Sequence, residues 1–425
     1  MSYLNIKYKR RFKNLSVSSI LIASSLVLSS CSYVYDLFGF NEESSYVTYD
    51  SQAVTISPEE RSDYDKTIIF YGYRNLSNDK SLDLYNCIDS NIQNKSPFTI
   101  KCDGLASDKQ ISEAIMAYKN DHPEVFWIKD YFEYYNDGSN TFVKISYNMS
   151  EEKLAAAKQE FTEKVDEIIA SVPTDKNEYE IEKYINNYII ENCVYDVDAV
   201  ANDNVKGNEN DAYGAIVEGS AVCEGYARAF QLLCNSVGIE CVNIVGNAGE
   251  PHQWNCVKID NEWYQIDVTW NDADEQGEIS YNRYFNLTDK KISKTHKVAK
   301  IFKETTDEEY IDPEINCNVF VPECTATKYS YVNQEYVTLH DIDDAENLIQ
   351  QLADKAKKKA DYLNVIFDDE LDFDDVTDAI LHEGYLYDWF DRANNINNNS
   401  PQINCKKGIY IWETLGYITI IIDYN

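Results

Sequence analysis

Apolar residues recur at helical spacing in several stretches of the chain. Upstream of Gly238 they fall at i, i+4, i+7 and i+11, on one helix face: Tyr226, Phe230, Leu233 and Val237. Gly238 is a typical helix stop. Similar patterns, with a capping box of Ser107 and Gln110 in front of the first, predict helices over 111–119, 150–168, 179–191, 345–359 and 374–380.

Segments rich in β-branched and aromatic residues predict the strands. They cover 67–73, 142–147, 241–246, 252–259, 263–269, 284–287, 409–413 and 417–424. The break at Asp260-Asn261-Glu262 predicts a hairpin of the strands on either side of it, and Leu415-Gly416 predicts a second hairpin turn. Helices mixed with hairpin strands predict an α+β fold.

The 425 residues are enough for two or three domains. The predicted organisation is a signal peptide (1–30), a polar linker (31–65), an N-terminal α+β domain (66–176), a central core (177–303) and a C-terminal α+β domain (312–425). A polar loop over 196–210 is long enough to border a cleft in the core.

Cys223 lies at or next to the N-terminus of the helix that ends before Gly238. Unpaired N–H groups and the positive end of the helix dipole favour a thiolate there, and the thiolate is the nucleophilic form of cysteine. A cysteine at such a place is, on its own, more often a small buried apolar residue. Cys223 becomes a candidate nucleophile only in combination with residues further along the chain.

His252 and Asp267 occupy the two strands of the hairpin that turns at residues 260–262. Any loop with an even number of residues puts both side chains on the same face of the hairpin. A two-residue turn at Asn261-Glu262 would place His252 opposite Asn271, about 13 Å along the strand from Asp267. The pair therefore needs a longer loop or a bulge that shifts the register.

Three motifs in this order resemble the transglutaminase-like superfamily, whose members share a papain-like cysteine-protease core. The motifs are Ala-Tyr-Gly-Ala-Ile-Val-Glu-Gly-Ser-Ala-Val-Cys-Glu-Gly-Tyr-Ala (212–227), His-Gln-Trp-Asn (252–255) and Trp-Tyr-Gln-Ile-Asp-Val-Thr-Trp (263–270). The resemblance implies a helix that carries the catalytic cysteine, packed on an antiparallel sheet and flanked here by smaller α+β units. By the same resemblance Cys223 is the nucleophile, His252 the general base and Asp267 the residue that orients it.

The resemblance implies an enzyme that works on amide bonds through a thioester. With water as acceptor it is a peptidase or amidase acting on a protein or cell-wall peptide, which we expect here. With an amine as acceptor it is a protein-crosslinking transglutaminase. A surface-binding or adhesion protein without catalysis is a third alternative, against which the presence of all three residues argues.

The N-terminus has the pattern of a secretion signal. Five basic residues precede an apolar and serine-rich stretch over 17–28, which is followed by Ser29-Ser30-Cys31. That ending resembles a bacterial lipobox, so we expect Cys31 to carry lipid and to hold the protein on the extracytoplasmic face of the cell membrane. The alternatives are an ordinary cleaved signal and an uncleaved anchor.

The formal charge of −35 argues against nucleic acid as a partner and against electrostatic adsorption to anionic lipid. Neither a metal nor another cofactor is expected, because no cysteine and histidine cluster has zinc spacing and the acidic run 368–375 lacks the glycine and closing glutamate of an EF-hand. That run is expected to form a solvated turn leading into a helix. Among the 11 cysteines, Cys87 with Cys102 and Cys317 with Cys324 are candidate disulfide partners.

Overall fold

The computed structural model describes residues 47–48, 70–93, 100–202, 207–272, 282–305, 317–368 and 371–424. These residues form two compact units. The larger unit takes the described residues up to 272 and those of 284–326, and the smaller unit takes 282–283 and 327–424. The predicted signal peptide and Cys31 lie outside the described residues. No helix of the described part is both long and apolar enough to cross a membrane.

The first part of the larger unit consists of helices packed on a sheet of order β1-β2-β4-β3. Its elements are β1 (Val47–Thr48), α1 (Tyr71–Arg74), α2 (Asp79–Gln93), β2 (Ile100–Asp103), α3 (Asp108–Asp121), β3 (Ile128–Asn136) and β4 (Asn140–Tyr147). The predicted capping box is confirmed at the start of α3: the Ser107 side chain accepts from the Gln110 N–H, and the Gln110 side chain accepts from the Ser107 N–H.

The strand predicted over 67–73 is wrong for residues 71–73, which belong to α1. The cause is a contact distant in sequence. Asp121, at the end of α3, accepts hydrogen bonds from the N–H groups of Gly72 and Tyr73 at 2.7 Å each. These are two of the N–H groups that a helix start leaves unpaired, so a buried carboxylate stabilises a helical turn in a β-rich sequence.

The second part of the larger unit packs helices against an antiparallel sheet of order β10-β7-β8-β9. Its elements are α4 (Glu151–Ser171), α5 (Glu178–Asn192), β5 (Val194–Tyr195), α6 (Val197–Asn202), a π-helix (Gly214–Glu218), β6 (Ser220–Ala221), α7 (Cys223–Ser236), β7 (Cys241–Asn247), β8 (Pro251–Ile259), β9 (Glu262–Ile266), α8 (Val268–Asn271), α9 (Asp289–Ile292), β10 (Lys297–Val298), β11 (Lys300–Ile301), a 3-10 helix (Phe302–Glu304) and β12 (Cys317–Asn318). The predicted apolar face of α7 is confirmed, since Tyr226, Phe230 and Leu233 are fully buried.

Two strands predicted in this part are shorter than expected. The strand predicted over 263–269 ends at Ile266, because the Asp267 side chain accepts from the Trp270 N–H and so begins α8. The strand predicted over 284–287 is reduced to a bridge between Leu287 and Gln265. Asn286 there has a φ of +55°, which a continuous strand does not allow.

The smaller unit has a mixed sheet of order β13-β14-β17-β16 covered by helices. Its elements are α10 (Tyr331–Glu335), β13 (Val337–Leu339), α11 (Glu346–Lys357), β14 (Tyr362–Phe367), α12 (Phe373–His382), α13 (Tyr385–Ile396), β15 (Ile403–Asn404), β16 (Ile409–Trp412), a 3-10 turn (Glu413–Leu415), β17 (Tyr417–Ile421) and β18 (Asp423–Tyr424). The predicted hairpin of β16 and β17 is confirmed, with Gly416 in the left-handed conformation. Helix α13 and strand β14 were not predicted.

The ten cysteines in the described part are free thiols. The suggested disulfide of Cys87 and Cys102, in α2 and β2, is therefore not formed, although the two sulfur atoms lie 2.9 Å apart. The suggested disulfide of Cys317 and Cys324 is not formed either, and the Cys324 sulfur instead contacts that of Cys256 at 3.7 Å. The acidic turn predicted after 368 does lead into a helix: Asp372 caps α12 by accepting from the N–H groups of Asp374 and Asp375.

Candidate active site

Cys223 is the first residue of α7 and is half-buried. The chain enters the helix through a tight crossing, in which the Val222 N–H donates to the Glu209 carbonyl at 2.9 Å. Gly225, in the first helical turn, touches the same segment: a Cβ at this position would lie 2.5 Å from the Glu209 carbonyl oxygen. The sequence around Cys223 therefore holds the thiol at the open end of the helix.

His252 lies on β8 directly opposite Gly246 of β7, and it is 7% exposed. One contact fixes the cysteine helix relative to this strand. The Asn255 side chain, three residues further along β8, donates to the Ala227 carbonyl of α7 at 3.0 Å. The thiol and the imidazole are thereby held on two elements that are tied together by a buried hydrogen bond.

Asp267 is fully buried, and its Oδ2 lies 2.8 Å from Nε2 of His252. His252 and Asp267 lie on the same face of the hairpin, as expected. The expectation that the pair requires a longer loop or a bulge is wrong. The hairpin turns one residue earlier than expected, at Asp260 and Asn261, which both have positive φ. Because Asn255 faces Ile266 in that register, the position opposite His252 is only two residues beyond Asp267.

The charges of the site reinforce one another. Burial alone would lower the pKa of His252, but the charge and hydrogen bond of Asp267, together with a hydrogen bond to Cys223, raise it to about 10. Burial would raise the pKa of Asp267, but the two imidazoles of His252 and His296 hold it well below its usual range. Since Nε2 of His252 is bound to Asp267, Nδ1 is the ring nitrogen left for the Cys223 thiol.

The residue that sequence reasoning missed is His296. It is buried, and its Nε2 lies 2.8 Å from the same Oδ2 of Asp267 that His252 contacts. Its Nδ1 lies 2.7 Å from Oγ1 of Thr295. The residue follows α9, in a lysine-rich segment without a motif, so its being one of only five histidines was the one available signal.

Aromatic rings enclose the pair of histidines. The His296 ring packs edge to face on Trp270 at 4.7 Å and on Trp254 at 5.0 Å, measured between ring centroids. Trp254 also donates its indole N–H to the Gln265 side chain at 2.7 Å. Tyr213 donates its hydroxyl to Glu160 at 3.0 Å.

Within the described ranges, His252, Asp267 and His296 also form a cluster of metal-ligand type, with one ligand atom from each residue lying within 4.8 Å of the others. Both histidine Nε2 atoms already bind the same carboxylate oxygen, and this accounts for the short spacing. A cation there would have to displace both imidazole protons and break these hydrogen bonds. The donor set therefore fits a hydrogen-bonded network better than a metal centre.

The comparison with protein families points to the same region. Residues 164–268 match the family model of the transglutaminase-like superfamily. The kyphoscoliosis peptidases of Mus musculus and Homo sapiens are 30% and 27% identical to this chain over 84 residues. That match covers 16% of this chain and only 13% of each relative.

Among solved structures, a crystal structure of a TGase is similar at 20% identity with a TM-score of 0.24, over 32% of this chain and 43% of that one. The family match, and not this structural likeness, decides the fold. The α+β core predicted from the sequence is thus confirmed, and the chain carries a transglutaminase-like domain over residues 164–268.

Proposed function

We propose that this protein is an extracytoplasmic cysteine enzyme that hydrolyses amide bonds in a protein or cell-wall peptide. The observation that carries the proposal is the buried pair of His252 and Asp267, 2.8 Å apart, whose imidazole also interacts with Cys223 at the start of α7. The name peptidase of the two mammalian relatives supports the same reaction class.

In the proposed reaction the Cys223 sulfur attacks the carbonyl carbon of the scissile amide, and His252 holds the proton of the thiol. As the C–N bond breaks, His252 gives this proton to the leaving amine, and the acyl group remains on sulfur as a thioester. Water then attacks the thioester and loses a proton to His252, which returns it to the sulfur as the acid product leaves. Asp267 keeps the imidazole oriented and stabilises its charged form.

Competitive alkylation of the native protein tests the nucleophile. With a limiting amount of iodoacetamide, we expect Cys223 to be modified much faster than the nine other described cysteines, all of which are buried. Mass spectrometry of the peptides gives the relative rates. The matched controls are His252→Gln, which should remove the preference, and Cys193→Ser, which should keep it. Uniform slow labelling in the wild type would overturn the proposal.

A second experiment separates hydrolysis from the alternatives. The enzyme is incubated with a peptide library, with and without a labelled primary amine, and the products are analysed by mass spectrometry. New carboxyl ends that form in the presence of the amine support hydrolysis, whereas incorporation of the amine identifies a transglutaminase. If Cys223 is highly reactive but neither product forms, the protein is not an amide hydrolase of these substrates.

A further inference from the structure

We infer that His296 is a positioning residue of the catalytic site, which fixes the carboxylate of Asp267 and keeps the proton on His252. The inference rests on the proposed function, because it assigns a role within the same triad. His296 is not expected to touch the substrate, since it acts through Asp267.

The first argument is the number of donors on one carboxylate. Oδ2 of Asp267 binds Nε2 of His252 and Nε2 of His296, each at 2.8 Å, and Oδ1 accepts from the Trp270 N–H at 3.0 Å. The two oxygens thus have partners in three directions, which leaves the carboxylate a single orientation. Without His296, only His252 and the helix cap would hold it.

The second argument concerns the protons. An ionised carboxylate only accepts hydrogen bonds, so both imidazoles must carry a proton on Nε2. The hydrogen bond from His296 lowers the proton affinity of Asp267, as the direction of its pKa indicates. Asp267 therefore stabilises a charged His252 without taking its proton, which is what the orienting residue of such a triad requires.

The third argument is the way in which the His296 ring is itself held. Oγ1 of Thr295 binds Nδ1 on the far side of the ring, and the ring is fully buried. Among the described residues, the titratable rings that pack on it are those of His252 and Tyr284, at centroid distances of 5.4 and 5.5 Å. Trp254 and Trp270 supply further ring contacts. Packing alone would be served equally well by an apolar ring.

Two substitutions separate positioning from packing. His296→Phe keeps an aromatic ring but removes the donor, whereas His296→Gln keeps an N–H donor. Without the hydrogen bond from His296, the pKa of Asp267 should be higher in His296→Phe than in the wild type, so Asp267 is protonated at acidic pH values at which the wild-type residue is still ionised. We therefore expect the alkylation of Cys223 in this variant to be about tenfold slower than in the wild type at acidic pH. The difference in alkylation rate between His296→Phe and the wild type should become smaller toward neutral pH. The alkylation rate of His296→Gln should remain within about threefold of that of the wild type. Circular dichroism serves as the control for folding.

Once a substrate is known, His296→Phe should lower kcat with little change in KM, since no substrate contact is removed. Equal pH profiles for the wild type and both variants would overturn the inference and leave His296 as a packing residue. If His296→Phe fails to fold, Thr295→Val takes its place. This variant removes the hydroxyl that binds Nδ1 of His296. It should shift the acidic part of the pH profile of Cys223 alkylation in the same direction as His296→Phe, by a smaller amount.

Nuclear magnetic resonance of the wild type, labelled with ¹⁵N-histidine, decides the matter without any variant. We expect Nε2 of His296 to carry a proton that is hydrogen-bonded to Oδ2 of Asp267. A His296 ring protonated on Nδ1 alone cannot donate to Asp267 and would overturn the inference. Slow labelling of Cys223 together with a protonated Nε2 would instead overturn only the proposed function.

Discussion

Asp267 is the residue on which the protonation of the site depends. It is ionised and fully buried, and through its charge and hydrogen bond the pKa of His252 rises to about 10. A buried charge of this kind is effective because little water is present to screen it. His252 therefore remains protonated through neutral pH and loses its proton only in the alkaline range.

Substitution of Asp267 by Asn should lower the pKa of His252. The amide keeps the size of the side chain but removes the negative charge, so burial, which disfavours the imidazolium, becomes the dominant influence. Titration of the His252 ring by NMR should give a midpoint near pH 10 in the wild type and a much lower one in the variant. A wild-type midpoint close to the ordinary value of about 6.5 would contradict the role of Asp267.

Glu182, in α5, is a second buried carboxyl, and its pKa is shifted in the opposite direction from that of Asp267. Burial raises the pKa of its carboxyl well above the ordinary value. Oε2 accepts from the Asn286 side chain at 2.8 Å, while Oε1 has no hydrogen-bond partner within the described structure. The folded protein therefore holds a proton that the unfolded chain releases above a pH of about 4.5.

This proton makes stability depend on pH in a direction that can be tested. Because the folded state binds more protons, the free energy of unfolding falls as pH rises above the ordinary pKa of a glutamate. Glu182→Gln has no carboxyl at this position and therefore lacks this loss of stability. The Tm of the variant minus that of the wild type should increase from about pH 4.5 to about pH 7.5. Glu180→Gln, on the exposed cap of the same helix, is the control. A Tm difference that does not change with pH would contradict the prediction.

The site illustrates how far single residues can be predicted from the sequence. The motifs single out Cys223, His252 and Asp267 as candidates, and in the structure His252 and Asp267 lie 2.8 Å apart while Cys223 begins α7. Their spacing could not be predicted, because a shift of the turn by one residue changes which residues face each other. His296 was missed because its contact with Asp267 is set by the path of the chain after α9, for which no local pattern exists.

At the scale of elements, the beginning of α7 is the feature most sensitive to change. A Cβ on Gly225 would lie 2.5 Å from the Glu209 carbonyl oxygen and 2.7 Å from the Ala221 side chain. Neither neighbour can yield easily, because one is backbone and the other belongs to the short strand β6. The helix that presents Cys223 therefore depends on a glycine in its first turn.

Gly225→Ala should lower the stability by about 1–3 kcal/mol, although alanine favours helices, because the added methyl group overpacks the crossing. The relief of this clash should also move Cys223 and slow its alkylation. Gly238→Ala, at the other end of α7, has open space around the Cβ and a φ of +85°. It should cost stability through its backbone conformation alone and leave the reactivity of Cys223 unchanged. Denaturant unfolding and alkylation rates measure both effects.

Local pattern predicted those elements whose ends and faces are encoded in the nearby sequence. Helix α3 has its capping box, α7 its apolar face and stop, and the last hairpin its turn glycine. Helix α1 was mistaken for a strand because a distant carboxylate caps it. Helix α13 was missed because its aromatic and acidic sequence, which begins with Tyr385-Leu386-Tyr387, does not have the composition of a typical helix.

At the scale of the whole molecule, each of the two units has its own hydrophobic core. In the smaller unit, helices α11 and α13 bury side chains such as Leu352, Trp389 and Phe390 over the sheet, and Ile418 and Ile420 line the sheet from β17. In the larger unit, the apolar face of α7 forms part of a separate core. The proposed catalytic residues all belong to the larger unit.

If Cys31 carries lipid, as we propose, that lipid is what holds the protein at the membrane, because the protein's charge of −35 opposes adsorption to anionic lipid. Cys31→Ala should therefore release the protein from the membrane fraction or block its maturation, as gel mobility and fractionation would reveal. Cys405→Ala, at a buried cysteine of the smaller unit, is the control and should fractionate like the wild type. Unchanged membrane association of Cys31→Ala would identify the apolar segment itself as the anchor.

The aromatic enclosure of the two histidines gives the protein an optical reporter of its own site. A protonated imidazole quenches the fluorescence of a nearby indole, and the His252 ring lies 5.9 Å from Trp270 and 6.1 Å from Trp254. Tryptophan emission should therefore brighten as His252 loses its proton near pH 10. Any inhibitor that reacts with Cys223 and disturbs the ring beside it should alter the same signal. Compounds could thus be screened in a fluorimeter before a single natural substrate is known.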